Sequence, residues 1–165
     1  MAKHSALFAL GLTACVMAAA GAARAADIVH TQSDASPIAK MVTVPGGATT
    51  YYLSGMVAPV SNPSAPKDSI EAYGDTKTQT VGVLNKIKGI LEGLGLGMGD
   101  VVKMQVFLVN DARSPMDFKG FMDGYTQFFG GDQPNLPARS VVGVAALANP
   151  GFLVEIEVIA VAAQK

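Results

Sequence analysis

Two segments of this chain, and no third, carry the apolar stripe of an amphipathic helix, and each is bracketed by runs that alternate as strands do. In the first, Val83, Leu84, Ile87, Ile90, Leu91 and Leu94 recur at spacings of three and four, which puts them on one side of a helix. Lys77, Asn85, Lys86, Lys88 and Glu92 take up much of the opposite side, and Gly95 stands where a helix-ending glycine belongs. In the second, Phe118, Phe121, Met122, Tyr125, Phe128 and Phe129 form the stripe. Ser114-Pro115-Met116-Asp117 reads as its start and Gly130-Gly131 as its end. At this spacing the aromatics read as core rather than as a binding platform.

The strand-like runs are 41–44, 50–57, 101–109, 139–147 and 152–161. Pro45-Gly46-Gly47 suggests that the first two form a hairpin, while the polar, aperiodic residues 26–40 read as an extended arm. The predicted order is β-β-α-β-α-β-β. Two helices with one stripe each cover one face of a mixed sheet, which makes a two-layer α+β sandwich. The other sheet face is also rich in Val, Ala and Ile, and no helix is left to cover it. Burial between subunits is the simplest solution, so a homo-oligomer is expected.

The N-terminus has a different character. Lys3 and His4 precede an uncharged apolar stretch from Ser5 to Ala20, and Ala23-Arg24-Ala25 follows. A basic start, a short apolar stretch and a small-residue site describe a secretory signal peptide over 1–25, with a single domain over 26–165. The stretch is too short and too rich in Ala and Gly for a stable membrane span. Leu12-Thr13-Ala14-Cys15 is a rival, lipobox-like reading that would lipidate Cys15. The expected location is periplasmic or secreted, with cleavage after Ala25. Losing Lys3 and Arg24 leaves ten basic against thirteen acidic side chains, a net charge of −3. That balance offers no electrostatic footprint for nucleic acid. Cys15 is the only cysteine and leaves with the leader, and His30 is the one histidine that remains. A His/Cys metal site and a Ser-His-Asp triad are thereby disfavoured.

Three features could carry chemistry. The glycine run 93–99 resembles a phosphate loop, but it ends a helix and enters a strand, the reverse of the required context. Arg139 opens a strand with no other charge. It suits bidentate grip of a carboxylate, or a structural salt bridge. Glu155 and Glu157 share one face of the last strand by its period of two. Either suits a general base acting through water, or else a place on a solvated strip or a pairing with Arg139 or a lysine, and for Glu157 the second is the better reading.

Pro137-Ala138-Arg139-Ser140, followed by Val154-Glu155-Ile156-Glu157-Val158-Ile159-Ala160, resembles the signature of the RidA (YjgF-like) family of reactive-intermediate imine deaminases. Ser54-Gly55, residues 80–94, Gly99-Asp100-Val101-Val102-Lys103 and Tyr125-Thr126-Gln127-Phe128-Phe129 agree in order, so the likeness spans about residues 35–161. The resemblance implies a chorismate-mutase-like fold, a homotrimer with pockets between subunits, and no metal or other cofactor. It implies hydrolysis of 2-imino acids or their enamines, such as 2-iminopropanoate and 2-iminobutanoate, to 2-oxo acids and ammonia. Arg139 matches the arginine that holds the substrate carboxylate, Glu155 the glutamate that positions water, and Gly55 a backbone amide lining the pocket. Ile38 stands where the family often has tyrosine and Val141 where it often has cysteine, so the implied pocket is more apolar. The alternative is a trimer of the same fold that binds small carboxylates without turnover or acts as a holdase.

Overall fold

The computed structural model describes residues 27–33, 36–110 and 114–163. The leader over 1–25, with the lipobox cysteine Cys15, lies outside the described residues. Among the described residues six strands, β1 (Val29–Ser33), β2 (Ser36–Thr43), β3 (Thr49–Val57), β4 (Val101–Val109), β5 (Ala138–Val144) and β6 (Val154–Ala162), form one mixed sheet in the order β1-β2-β5-β4-β6-β3. Helices α1 (Thr76–Gly93) and α2 (Phe118–Tyr125) pack against each other and cover one face. This is the expected two-layer α+β architecture. Among the described residues no helix is long and apolar enough to cross a membrane.

The stripes became the core. Val83, Leu84, Ile87 and Leu91 of α1, and Phe121, Tyr125 and Phe129 at and after α2, are fully buried. Each such side chain stabilises the fold by about 1.5–3 kcal/mol relative to leaving it in water. They meet Met104, Val106 and Leu108 of β4 and Val154, Ile156, Val158 and Ala160 of β6. Ile90 and Leu94, expected on the stripe, are 39% and 47% exposed, because they sit on its flank beyond the reach of the sheet. Asp75 caps α1 by accepting from the Thr78 amide at 2.8 Å. The glycine run stops it: Gly95 has φ +73°, its amide donates to Glu92 O, and the Leu96 amide donates to Leu91 O. That pair of bonds is a Schellman motif, which satisfies the last carbonyls of the helix.

Three expectations are corrected. Where an extended arm was expected over 26–40, the described residues hold two paired strands, since β1 runs against β2 from Val29↔Thr43 to Ser33↔Ser36. Backbone pairing and long-range side-chain bonds hold them, not an apolar stripe. His30 Nδ1 lies 2.8 Å from Leu136 O, and Gln32 Nε2 donates to Pro134 O at 2.6 Å. Residues 41–44 and 50–57 do not form a hairpin, because β2 pairs with β1 and β5 while β3 pairs with β6 at the far edge. Strand pairing decides against the hairpin, not the length of the link, which holds a turn at Gly46-Gly47 where Gly47 takes φ +82°. Finally, α2 starts at Phe118 rather than near Ser114, because Asp117 itself is the cap and accepts from the Gly120 amide.

Candidate functional site

Arg139 is the second residue of β5, and the parallel ladder sets it beside Met104 of β4. Met104 faces the core, so Arg139 points to the helix side of the sheet. There its guanidinium carbon lies 4.2 Å from the centre of the Tyr125 ring and 5.0 Å from that of Phe121. A cation over aromatic faces is held by the ring quadrupoles. The Tyr125 hydroxyl donates to Pro37 O at 2.9 Å, which fixes the ring that supports the guanidinium. Burial pushes the Tyr125 phenol up to about 12 and lowers the Arg139 pKa. An arginine keeps its charge regardless. Its Nη1 is buried and has no hydrogen-bond acceptor among the described residues. A buried cationic donor without an acceptor is costly, and a guest carboxylate would relieve that cost.

Val141, two residues along β5, faces the same side and packs against the core. Ile38 precedes Ala39, the β2 residue that pairs with Ala138, so it is brought to the start of β5 half-buried. Arg139, Val141 and Ile38 thus form one group on the helix side of the β2–β5 edge.

Glu155 belongs to a second group. It pairs with Phe107 of β4 and Val57 of β3, between Val154 and Ile156, which are fully buried. By alternation its carboxylate leaves the opposite, helix-free face. The pairing of β3 with β6 is interrupted between Leu53 and Met56, and Gly55 sits in that irregularity. A Cβ on Gly55 would overlap Glu155 Oε1, so the glycine makes room for the carboxylate. Gly55→Ala is expected to leave the melting temperature within a few degrees of wild type, since a flexible carboxylate can swing away. Any activity that depends on Glu155 should fall by roughly ten-fold or more, as misplacement of a reacting group does. Unchanged activity would show that Gly55 does not set the position of the acid.

The resemblance implies that Arg139 and Glu155 serve one pocket between subunits. Within one protomer they leave opposite faces of the sheet. Their β4 partners, Met104 and Phe107, are three residues apart, and an odd offset along a strand means opposite faces. Glu157 is exposed, in keeping with the solvated strip. An open groove of about 300 Å³ on the helix-free face is lined by Tyr52, Ser54, Lys103, Gln105, Glu157 and Ile159. The reading from sequence missed the ring support under Arg139. The aromatic stripe is core, as expected, but two of its rings also carry the guanidinium. An aromatic stripe together with a lone arginine at the edge of an apolar strand is the signal that could have found it.

The pattern of the family described as Endoribonuclease L-PSP matches residues 32–162. A RutC family protein of Pyrococcus horikoshii is 31% identical over 134 residues, covering 81% of this chain and 96% of its own. TdcF of Escherichia coli K12, whose name makes it a candidate reactive intermediate deaminase, is 34% identical over 134 residues, covering 81% and 95%. Among solved structures, YyfB of Yersinia pestis, a Rid family protein, superposes with a TM-score of 0.59 at 25% identity, over 81% of this chain and 96% of that one. Escherichia coli TdcF with bound serine superposes with a TM-score of 0.52 at 32% identity, over 72% and 84%.

Proposed function

The chain belongs to the endoribonuclease L-PSP (YjgF, RidA-type) family, and from that premise we propose that it is a homotrimeric deaminase that hydrolyses small 2-imino acids to 2-oxo acids and ammonia. The observation that carries this reading is the Arg139 guanidinium, framed by two rings, whose buried Nη1 has no acceptor among the described residues. It suits a small carboxylate. TdcF holds serine, a carboxylate next to a nitrogen-bearing carbon, which is the layout of a 2-imino acid. Retained RNA cleavage is disfavoured by the acidic balance of the chain.

Because Arg139 and Glu155 leave opposite faces of one sheet, the reading assigns them to different protomers at each site. Arg139 of one copy holds the carboxylate, and Glu155 of the next receives a proton from water. The water oxygen bonds to C2 while the C=N electron pair moves to nitrogen, giving a carbinolamine. Glu155 then returns its proton to nitrogen. As the C–N bond breaks and ammonia leaves, the C2 hydroxyl gives its proton to the Glu155 carboxylate and its oxygen becomes the carbonyl of the 2-oxo acid. That proton passes on to ammonia as ammonium. A protonated imine is already electrophilic, so positioning supplies most of the acceleration. Ile38 and Val141 would favour substrates with a short apolar side chain.

The test generates 2-iminopropanoate with an amino acid oxidase and traps it with semicarbazide. Wild type is expected to suppress the trapped product, and Arg139→Ala to lose that suppression. Ile38, which cannot donate a hydrogen bond, favours one second reading, a carboxylate-binding trimer without turnover. Absence of suppression by wild type, with 2-oxo acid binding retained, would select it. Export by the 1–25 leader is part of the same proposal. The mass of the protein from a periplasmic fraction, starting at Ala26 or at a lipidated Cys15, tests it.

A further inference from the structure

The seam between β2 and β5 is the thinnest of the sheet, and Arg139 lies beside it. β5 pairs with β4 along its whole length, from Lys103↔Ala138 to Val109↔Val144, but among the described residues it meets β2 through Ala39↔Ala138 alone. There the Ala39 amide donates to Pro137 O at 3.0 Å. One such pair fixes where two strands touch and leaves the angle between them loose. A second tie comes from α2: the Tyr125 hydroxyl donates to Pro37 O at 2.9 Å, two residues before Ala39. Ile38 stands between the two tied residues. The second tie has a firm base. Tyr125 is fully buried, its ring stacks on Phe129 at 4.8 Å, and Gly124 beside it lets α2 press against α1, where a Cβ would meet Thr80 at 2.8 Å. The ring that carries this hydroxyl is the one that lies 4.2 Å from the guanidinium carbon of Arg139.

We propose that Tyr125 is a positioning residue that sets the selectivity of the site for size. Its ring holds the plane of the Arg139 guanidinium, and its hydroxyl holds Ile38 at a fixed distance from that guanidinium. The proposal rests on the reading above, in which Arg139 grips a carboxylate, and adds what decides the length of side chain accepted beside it. Tyr125 touches no substrate: it is buried, and its hydroxyl is spent on Pro37 O. Its influence passes through Arg139 and Ile38. A guanidinium grips a carboxylate by two parallel bonds only when its plane is set. An apolar wall discriminates by size only when it cannot retreat, and each methylene refused by a fixed wall is worth about ten-fold or more.

The test is calorimetric binding of two 2-oxo acids, pyruvate and 4-methyl-2-oxopentanoate, to the purified protein. Wild type is expected to prefer pyruvate. Tyr125→Phe keeps the ring and frees Pro37 O, and should cut that preference about five-fold or more. In an Ile38→Ala background, where the wall is already gone, the same change should leave the preference as it was. Tyr125→Leu removes the ring and should weaken both acids by about two-fold to thirty-fold. Beside Arg139→Lys, whose ammonium has no plane to set, that loss should shrink to less than about two-fold. A purely structural tyrosine would weaken both acids alike in every background. A wild type without the preference, or an unchanged preference in Tyr125→Phe, overturns the proposal. So does a Tyr125→Phe effect that persists beside Ile38→Ala, or a Tyr125→Leu loss of full size beside Arg139→Lys. Should Tyr125→Leu not fold, the Tyr125→Phe result decides. These outcomes are read from binding and stay distinct from the deaminase reading, which ends if wild type binds pyruvate but does not suppress the semicarbazide adduct. A wild type that binds neither acid ends both.

Discussion

Arg139→Ala and Glu155→Gln protomers, each nearly inactive alone, are expected to recover about a quarter of wild-type deaminase activity when co-assembled at equal ratio. The single losses are large. Removing a guanidinium that makes two charge-assisted bonds forfeits about 3–6 kcal/mol, on the order of a hundred-fold or more in rate. Removing a general base costs on the order of a hundred-fold as well. The recovery follows from where the residues point. Arg139 stacks on Tyr125 at the helix side, and Glu155 lies against Gly55 at the helix-free side. One substrate can touch both only between two copies. In a mixed trimer one interface of the three joins an intact Arg139 to an intact Glu155. About three-quarters of randomly assembled trimers are mixed, which sets the expected quarter. The measurement is initial-rate suppression of the semicarbazide adduct, with mixing confirmed by native mass spectrometry. Mixed trimers with no recovered activity would show that the two residues do not meet across an interface and end the proposed geometry.

The parts of the fold that were legible are those written in local pattern. The helix stripes, the Gly95 stop and the alternation of β4 and β6 each depend on residues close in the chain. β1 was illegible because its five residues, Val-His-Thr-Gln-Ser, show no alternation. Its place comes from backbone pairing and from His30 and Gln32 reaching carbonyls about a hundred residues away. The site was half legible for the same reason. Arg139 stood out as the only charge in an apolar strand, and Glu155 by its place in the last one. Whether they share a face cannot be read from either strand alone. Period two orders side chains within a strand, but two strands are related only through their register with β4, where Met104 and Phe107 are the partners.

Gln79→Leu is expected to lower the melting temperature by about 10–20 °C, the largest stability loss of any single change to a polar residue considered for this fold. Gln79 lies on the first turns of α1 and is fully buried, although nothing in its sequence neighbourhood sets it apart from a solvated helix residue. Its Nε2 donates to Gly74 O and Gly151 O, both at 2.9 Å, and its Oε1 accepts from the Leu153 amide at 2.8 Å. One side chain thus satisfies three backbone groups, tying the start of α1 to the loop that enters β6. Leucine has nearly the same volume, so the core stays filled while those groups lose their partner. Each unsatisfied buried group costs about 1–3 kcal/mol, and three approach the whole stability of a domain this size. Gln79→Glu should also destabilise, because it keeps the acceptor for Leu153 but turns a carboxylate toward two carbonyls. Glu155 begins two residues beyond Leu153, so the surviving fold should also show weaker catalysis. Thermal unfolding of both variants is the measurement. A Gln79→Leu melting temperature within about 2 °C of wild type would mean that the three groups find other partners, and that this glutamine does not anchor the loop.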